Sequence, residues 1–108
     1  MNERLHRIEA MLAASPEDQF LRYSLAMELR KQGESNRCTA LFNGLLADDP
    51  PHIPAFLMFA QYYSENEKFD SAREILRNGI KEASNQGDSH AAGEMGELLE
   101  ALGSETEG

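Results

Sequence analysis

The side chains best suited to chemistry in this chain are three histidines and one cysteine, and their spacing assembles no site. His6, His52 and His90 lie in three separate segments, so no pair has the i, i+4 spacing that places two metal ligands on one helical face. Cys38 is the only cysteine, which excludes an internal disulfide and a multi-thiolate zinc site. No nucleophile, base and orienting group can be assembled from these residues. The sequence therefore predicts no catalytic residues, no metal and no cofactor.

Two further features are interpreted as structural. Cys38 falls where two helices are expected to cross closely, so it is read as a small buried hydrophobic residue and not as a nucleophile. The segment Gly93-Glu94-Met95-Gly96 lacks the preceding strand and the lysine of a phosphate-binding loop. Its glycines are expected to ease contact between helices.

Length and composition limit the class of protein. A chain of 108 residues suffices for one core, and its 41% hydrophobic content includes no apolar run near the length of a membrane span. No N-terminal stretch resembles a signal peptide. We therefore expect a cytoplasmic protein with no membrane partner.

The negative charge lies mostly at the C-terminal end. Residues 82–108 contain seven acids and no Lys or Arg, whereas residues 1–81 contain twelve acids and all ten bases, a net charge of −2. An acidic surface of this kind repels a phosphate backbone, so nucleic acid is not an expected partner. The charge pattern also suits a solvated helix followed by a frayed tail.

Apolar periodicity and capping residues predict an all-α chain. A first helix carries Leu5, Ile8, Met11 and Leu12 and ends before Ser15-Pro16. Ser15 is expected to cap a second helix with Pro16 at its first position, ending near Lys31. Ser35 is the expected cap of a third helix, which ends near Ala47.

Three more helices are predicted after the loop at Asp48–His52, where two prolines prevent helix. A fourth begins at Pro54 and ends before a turn at residues 64–67. A fifth carries Phe69 to Ile80, and a polar linker covers residues 84–88. A sixth runs from about Ser89 to Leu102, with residues 103–108 as a disordered tail.

The sequence repeats itself at a step of about 34 residues, a period typical of stacked helical units. Six of eight aligned pairs match in size and polarity: Leu25/Phe59, Ala26/Ala60, Leu29/Tyr63, Cys38/Ala72, Phe42/Leu76 and Leu46/Ile80. The same step taken toward the N-terminus aligns Ile8 with Phe42 and Leu12 with Leu46. With two extra linker residues, Met95, Gly96 and Leu99 align with Phe59, Ala60 and Tyr63.

These residues resemble the tetratricopeptide repeat, a helix-turn-helix unit of the same length with small side chains where its helices meet. Here the small positions are Ala26, Cys38, Ala60, Ala72 and Gly96. The resemblance implies an antiparallel helix-pair solenoid, a right-handed superhelix in residues 1–102, with a half repeat, two full repeats and a C-terminal capping helix. Arg22 at a tryptophan-like position and Glu67 at a usual glycine position depart from the pattern.

The resemblance also implies a function, since first helices of this family line a concave groove that holds a peptide or helix of a partner protein. The groove positions carried over to this chain are Phe20, Tyr23, Met27, Arg30, Lys31, Leu57, Gln61, Ser64 and Glu65, with His90, Gly93 and Glu97 from the cap. Phe20, Tyr23, Met27 and Leu57 are the expected binding residues, with Tyr23 as the best single probe.

Two alternatives remain open. The apolar groove residues are either exposed for binding or covered as ordinary core by the first half repeat or a loop. If exposed, they serve either a scaffold that binds a partner protein or a homodimer interface. An enzyme is the least expected class.

Overall fold

The computed structural model describes residues 2–103, which contain six α-helices and no β-strand, and this confirms the all-α prediction. The helices are α1 (Glu3–Ala14), α2 (Gln19–Lys31), α3 (Ser35–Ala47), α4 (Ile53–Glu65), α5 (Phe69–Asn85) and α6 (Ser89–Leu102). None of them has the length and hydrophobicity that crossing a bilayer requires. The predicted disordered tail falls, apart from Gly103, outside the described residues.

The chain folds as two compact units, Met1–His52 and Ile53–Gly108. The first contains α1, α2 and α3, with α2 packed against both others, and the second contains α4, α5 and α6, with α5 packed against both others. Each unit has its own apolar core. The prediction of one domain over residues 1–102 remains a prediction.

The core of the first unit is formed by the residues that the periodicity selects. Ile8, Leu25, Leu29 and Phe42 are buried, and the small residues Ala26 and Cys38 are completely buried. Small side chains at these two positions let α2 and α3 approach closely. Burial of Cys38 confirms its reading as a core residue.

The core of the second unit depends on a glycine. Phe56, Phe59, Leu76 and Met95 are buried, and a Cβ placed on Gly79 would lie 2.5 Å from Met95 Sδ and 2.8 Å from Phe56 Cβ. Gly79 on α5 therefore permits the close approach of its neighbours in this unit.

The prediction that Gly93 and Gly96 ease contact between helices is wrong for this unit. A Cβ on Gly93 or Gly96 would meet nothing within 4 Å among the described residues. Within α6 the buried side chain among the described residues is that of Met95. The two glycines do not mediate a helix contact within this unit.

The turns that follow α2 and α4 have the same backbone form. Gly33 and Glu67 both have positive φ, 76° and 59°, at the end of α2 and of α4. The next amide donates five residues back in each turn, Glu34 to the Leu29 carbonyl (3.0 Å) and Lys68 to the Tyr63 carbonyl (2.8 Å). This is the bonding of a Schellman-type helix end, which favours glycine at the left-handed residue. Glu67 therefore adopts a glycine conformation without being glycine.

Several predicted helix ends differ from the structure. Ser15 closes α1, since its N–H donates to the Met11 and Leu12 carbonyls, and the carboxylate of Asp18 caps α2 by accepting from the Leu21 N–H. Ser35 is the first residue of α3 and not its cap. Pro54 is preceded in α4 by Ile53, and α5 extends into the predicted linker (residues 84–88) as far as Asn85. Local capping patterns leave such choices open because several nearby residues, such as Ser15 and Asp18, are of types that can accept the first amides.

Candidate functional site

Five of the predicted groove residues lie on one face of α2. The spacing from Phe20 through Tyr23 and Met27 to Arg30 and Lys31 is three or four residues, so the side chains follow a single helical face. Phe20 is 69% exposed. Tyr23, Met27 and Arg30 are half-buried, whereas Lys31 is exposed with its Nζ 3.5 Å from Glu28 Oε1.

Tyr23 has a partner within its own unit. Its ring centroid lies 5.1 Å from that of His52, and burial raises the pKa of its phenol. The ring is therefore used in part to hold the loop after α3. Phe20 is a cleaner probe of binding than Tyr23, because its ring is mostly in solvent.

The other predicted groove residues lie in the second unit. Leu57, Gln61 and Ser64 share one face of α4 and are half-buried, and Glu65 is exposed. On α6, His90, Gly93 and Glu97 are exposed, and His90 Nε2 lies 3.5 Å from Glu94 Oε1. The structure thus groups the predicted residues into a face on α2, a face on α4 and a polar face on α6.

An apolar pocket lies between α1 and α2 in the first unit, beside Phe20. Its volume is about 230 Å³. The residues that line it are Arg4, Arg7, Ile8, Met11, Phe20, Leu21 and Ser24. Met11 is 49% exposed, so two large apolar side chains of this pocket face solvent. Exposed apolar groups grouped around a concavity are typical of an interaction site.

Sequence reasoning placed only Phe20 of this pocket among the binding residues. The repeat step pairs Met11 with Leu45. Leu45 is completely buried whereas Met11 is half-exposed, so the pairing alone did not identify Met11 as a pocket residue. For Phe20, the alternative that α1 covers it as ordinary core does not hold within this unit.

The rim of the pocket is basic. Arg4 Nε donates to Glu28 Oε1 at 2.7 Å, while its side chain remains 63% exposed. Glu28 is buried, and hydrogen bonds from Asn2 and then from Arg4 hold the pKa of its carboxyl below the usual range. Arg7 forms no ion pair within residues 2–103. The rim therefore offers cationic groups beside an apolar floor.

A polar cluster that the sequence did not reveal joins the start of α2 to the loop after α3. Arg22 donates to both carboxylate oxygens of Asp48, and Gln19 Nε2 donates to Asp48 Oδ2 at 2.9 Å. His52 Nδ1 lies 3.3 Å from Gln19 Oε1. Bonds from Arg22 and Gln19 lower the pKa of Asp48, and burial lowers the pKa of His52. Arg22 therefore holds the loop after α3 through an ion pair.

The described residues contain no cluster of three or more metal-ligating side chains. Burial raises the pKa of the Cys38 thiol, which disfavours the reactive thiolate. The groups that the first unit brings together are an apolar pocket, its basic rim and the neighbouring face of α2.

Comparison with known proteins supports the fold alone. No protein-family model and no curated protein matches the chain. The chain is similar to the solution structure of a protein from Bordetella parapertussis, a structural genomics target, with a TM-score of 0.77 and 22% sequence identity. The match covers 94% of this chain and 89% of that chain.

Proposed function

We propose that this chain is a cytoplasmic, non-enzymatic repeat protein of the tetratricopeptide type that binds a helix or peptide of a partner protein. The exposure of Phe20 beside the α1–α2 pocket carries the proposal. A bulky apolar side chain of the ligand enters the pocket, and the rest of the ligand lies along the face of α2.

The arrangement of groups supports binding over catalysis. The pocket is lined mostly by apolar side chains, and its polar groups are two arginines and Ser24. Arginine and aromatic residues are the types that supply most of the binding energy at protein interfaces. A ligand with an acidic residue next to a bulky apolar one complements both the floor and the rim.

The test is selection from a displayed library of random peptides against the wild-type protein, followed by affinity measurements with the selected peptides. We expect sequences that combine a large apolar residue with neighbouring acids. Phe20→Glu should weaken their binding at least about tenfold, which corresponds to about 1.4 kcal/mol. Because Phe20 is mostly in solvent, the substitution should leave the fold intact.

The matched control is Phe69→Glu. Phe69 is also an exposed aromatic residue, 41% accessible, but it lies at the start of α5 in the other unit. Selected peptides should bind Phe69→Glu as they bind the wild type. Equal binding to Phe20→Glu and wild type would show that the pocket is not the site and would overturn the proposal.

A further inference from the structure

Helix α1 presents a face that is buried at the matching positions of α3. Met11 matches Leu45 at the repeat step, yet Met11 is 49% exposed and Leu45 is completely buried. Leu45 lies on α3, which packs against α2, the first helix of its pair. We call α2 and α4, which begin a helix pair of the repeat, first-type helices, and α3 and α5, which follow them, second-type helices. By its repeat alignment α1 is of the second type, so its open side is the kind of surface that a first-type helix covers.

Helix α6 presents the complementary face. Gly96 matches Ala60 and Ala26, which are both completely buried, whereas a Cβ on Gly96 would meet nothing within 4 Å among the described residues. By this alignment α6 matches α2 and α4, and no second-type helix covers its small position within residues 2–103.

The two faces also differ in charge. The open side of α1 carries Arg4 and Arg7, and Arg7 has no ion pair within the described part of the chain. Helix α6 contains three acids, Glu94, Glu97 and Glu100, all exposed, and no Lys or Arg. Opposite charges brought together in this way favour one orientation of two surfaces over others.

We infer that the α1–α2 pocket binds helix α6 of a second copy of this chain. The inference rests on the proposed function, since it names the helix that the pocket takes. Met11 lies over the backbone at Gly96, as second-type helices lie over Ala26 and Ala60. The absence of a side chain at Gly96 leaves room for the stem of Arg4, and Arg7 pairs with Glu97 or Glu100.

This contact is heterologous, because it joins different surfaces of the two copies. Each copy then retains one free pocket and one free α6, so assembly continues beyond a dimer unless the arrangement closes. We expect the mass of the wild-type protein in solution to rise with concentration.

Sedimentation velocity across a wide concentration range tests the inference with two substitutions that spare the core. Gly96→Leu places a side chain into open space within its own unit and blocks the contact between copies, so the protein should become monomeric at every concentration. Arg7→Glu should do the same by placing like charges opposite each other. A wild type that remains monomeric throughout, or an association that both variants retain, would overturn the inference.

Charge exchange gives the specific control. Glu97→Arg alone should be monomeric, whereas a mixture of Arg7→Glu and Glu97→Arg, or the double variant, should associate again. Lys81→Glu and Glu74→Arg make the same changes of charge on exposed residues of α5 and should associate like the wild type. If these two variants also failed to associate, net charge would account for the association, and the inferred contact would be contradicted.

The same measurements separate this inference from the proposed function. A monomeric wild type that binds selected peptides through Phe20 would retain the function and exclude the second copy as ligand. An associating wild type that binds no displayed peptide would support the inference and limit the ligand to α6.

Discussion

At the scale of single residues, two polar groups hold loops that the apolar pattern does not define. Asp48 accepts hydrogen bonds from Arg22 and Gln19 and thereby ties the loop after α3 to the start of α2. Glu67 closes the turn between α4 and α5 in a left-handed conformation that glycine adopts without strain. The Asp48 contacts and the Glu67 turn each lead to a separate prediction.

The Asp48 cluster predicts a loss of stability in acid. Because the pKa of Asp48 is lowered in the folded state, its contribution is fully present above the ordinary carboxyl pKa of about 4 and is lost as the pH falls through the lower folded value. Asp48→Asn should lower the thermal midpoint at neutral pH, and its difference from the wild type should shrink in acid. Thermal unfolding followed by circular dichroism from neutral pH to about pH 2 measures both effects.

The control for this prediction is Asp49→Asn, an exposed neighbour in the same loop. It should follow the wild-type curve closely. A difference between Asp48→Asn and wild type that does not change with pH would indicate that the carboxylate charge is not what stabilises the loop.

The turn at Glu67 predicts a stabilising substitution. Glu67→Gly removes the steric cost of φ at 59°, and we expect the free energy of unfolding to rise by about 1 kcal/mol. Denaturant titration measures this change. Lys68→Gly is the control, because Lys68 has φ of −95° and should lose stability on the same substitution. A lower stability of Glu67→Gly would mean that the Glu67 side chain contributes more than its backbone costs.

At the scale of helices, the glycines of α5 and α6 have opposite roles. Gly79 lies where α5 meets both Phe56 and Met95, so its lack of a side chain determines how closely those elements pack. Gly93 lies on an exposed part of α6, where a glycine only lowers helix propensity. Sequence patterns at the two sites do not distinguish these roles.

Replacing each glycine with alanine should therefore have opposite effects. Gly79→Ala should lower the free energy of unfolding by about 1–3 kcal/mol through overpacking, even though alanine favours helix. Gly93→Ala should raise it by about 1 kcal/mol through helix propensity. Urea unfolding of both variants is the measurement, with each variant as the other's control. A gain at Gly79 would show that α5 has room for a methyl group.

At the scale of the whole molecule, the charge is unevenly distributed along the chain. The formal net charge is −9, and the acids of residues 82–108 supply most of it. Arg4 and Arg7 lie beside the apolar pocket of the first unit. An acidic ligand, as proposed above, would be repelled by the C-terminal acids and attracted to the two arginines beside this pocket.

The sequence by itself determined the all-α class, the number of helices in the described region, many of the buried positions and the 34-residue step. Those properties depend on local features: a hydrophobic period near that of the α-helix, prolines, and residues with a preference for helix ends. The same local features predicted Cys38, Ala26, Ala60 and Ala72 as buried, and each is buried. Helix ends were not determined in the same way, because more than one nearby residue is of a type that can cap a helix.

Only the tertiary structure decided which apolar residues remain in solvent and which glycine lies at a contact. Phe20 and Tyr23 share a helix face, but Tyr23 packs against His52, which follows α3 and is distant along the chain, whereas Phe20 stays exposed. The pocket combines side chains of α1 and α2, and the Arg22–Asp48 pair joins the start of α2 to the loop after α3. Contacts between distant segments depend on how helices pack, and a periodic pattern on one helix does not contain that information.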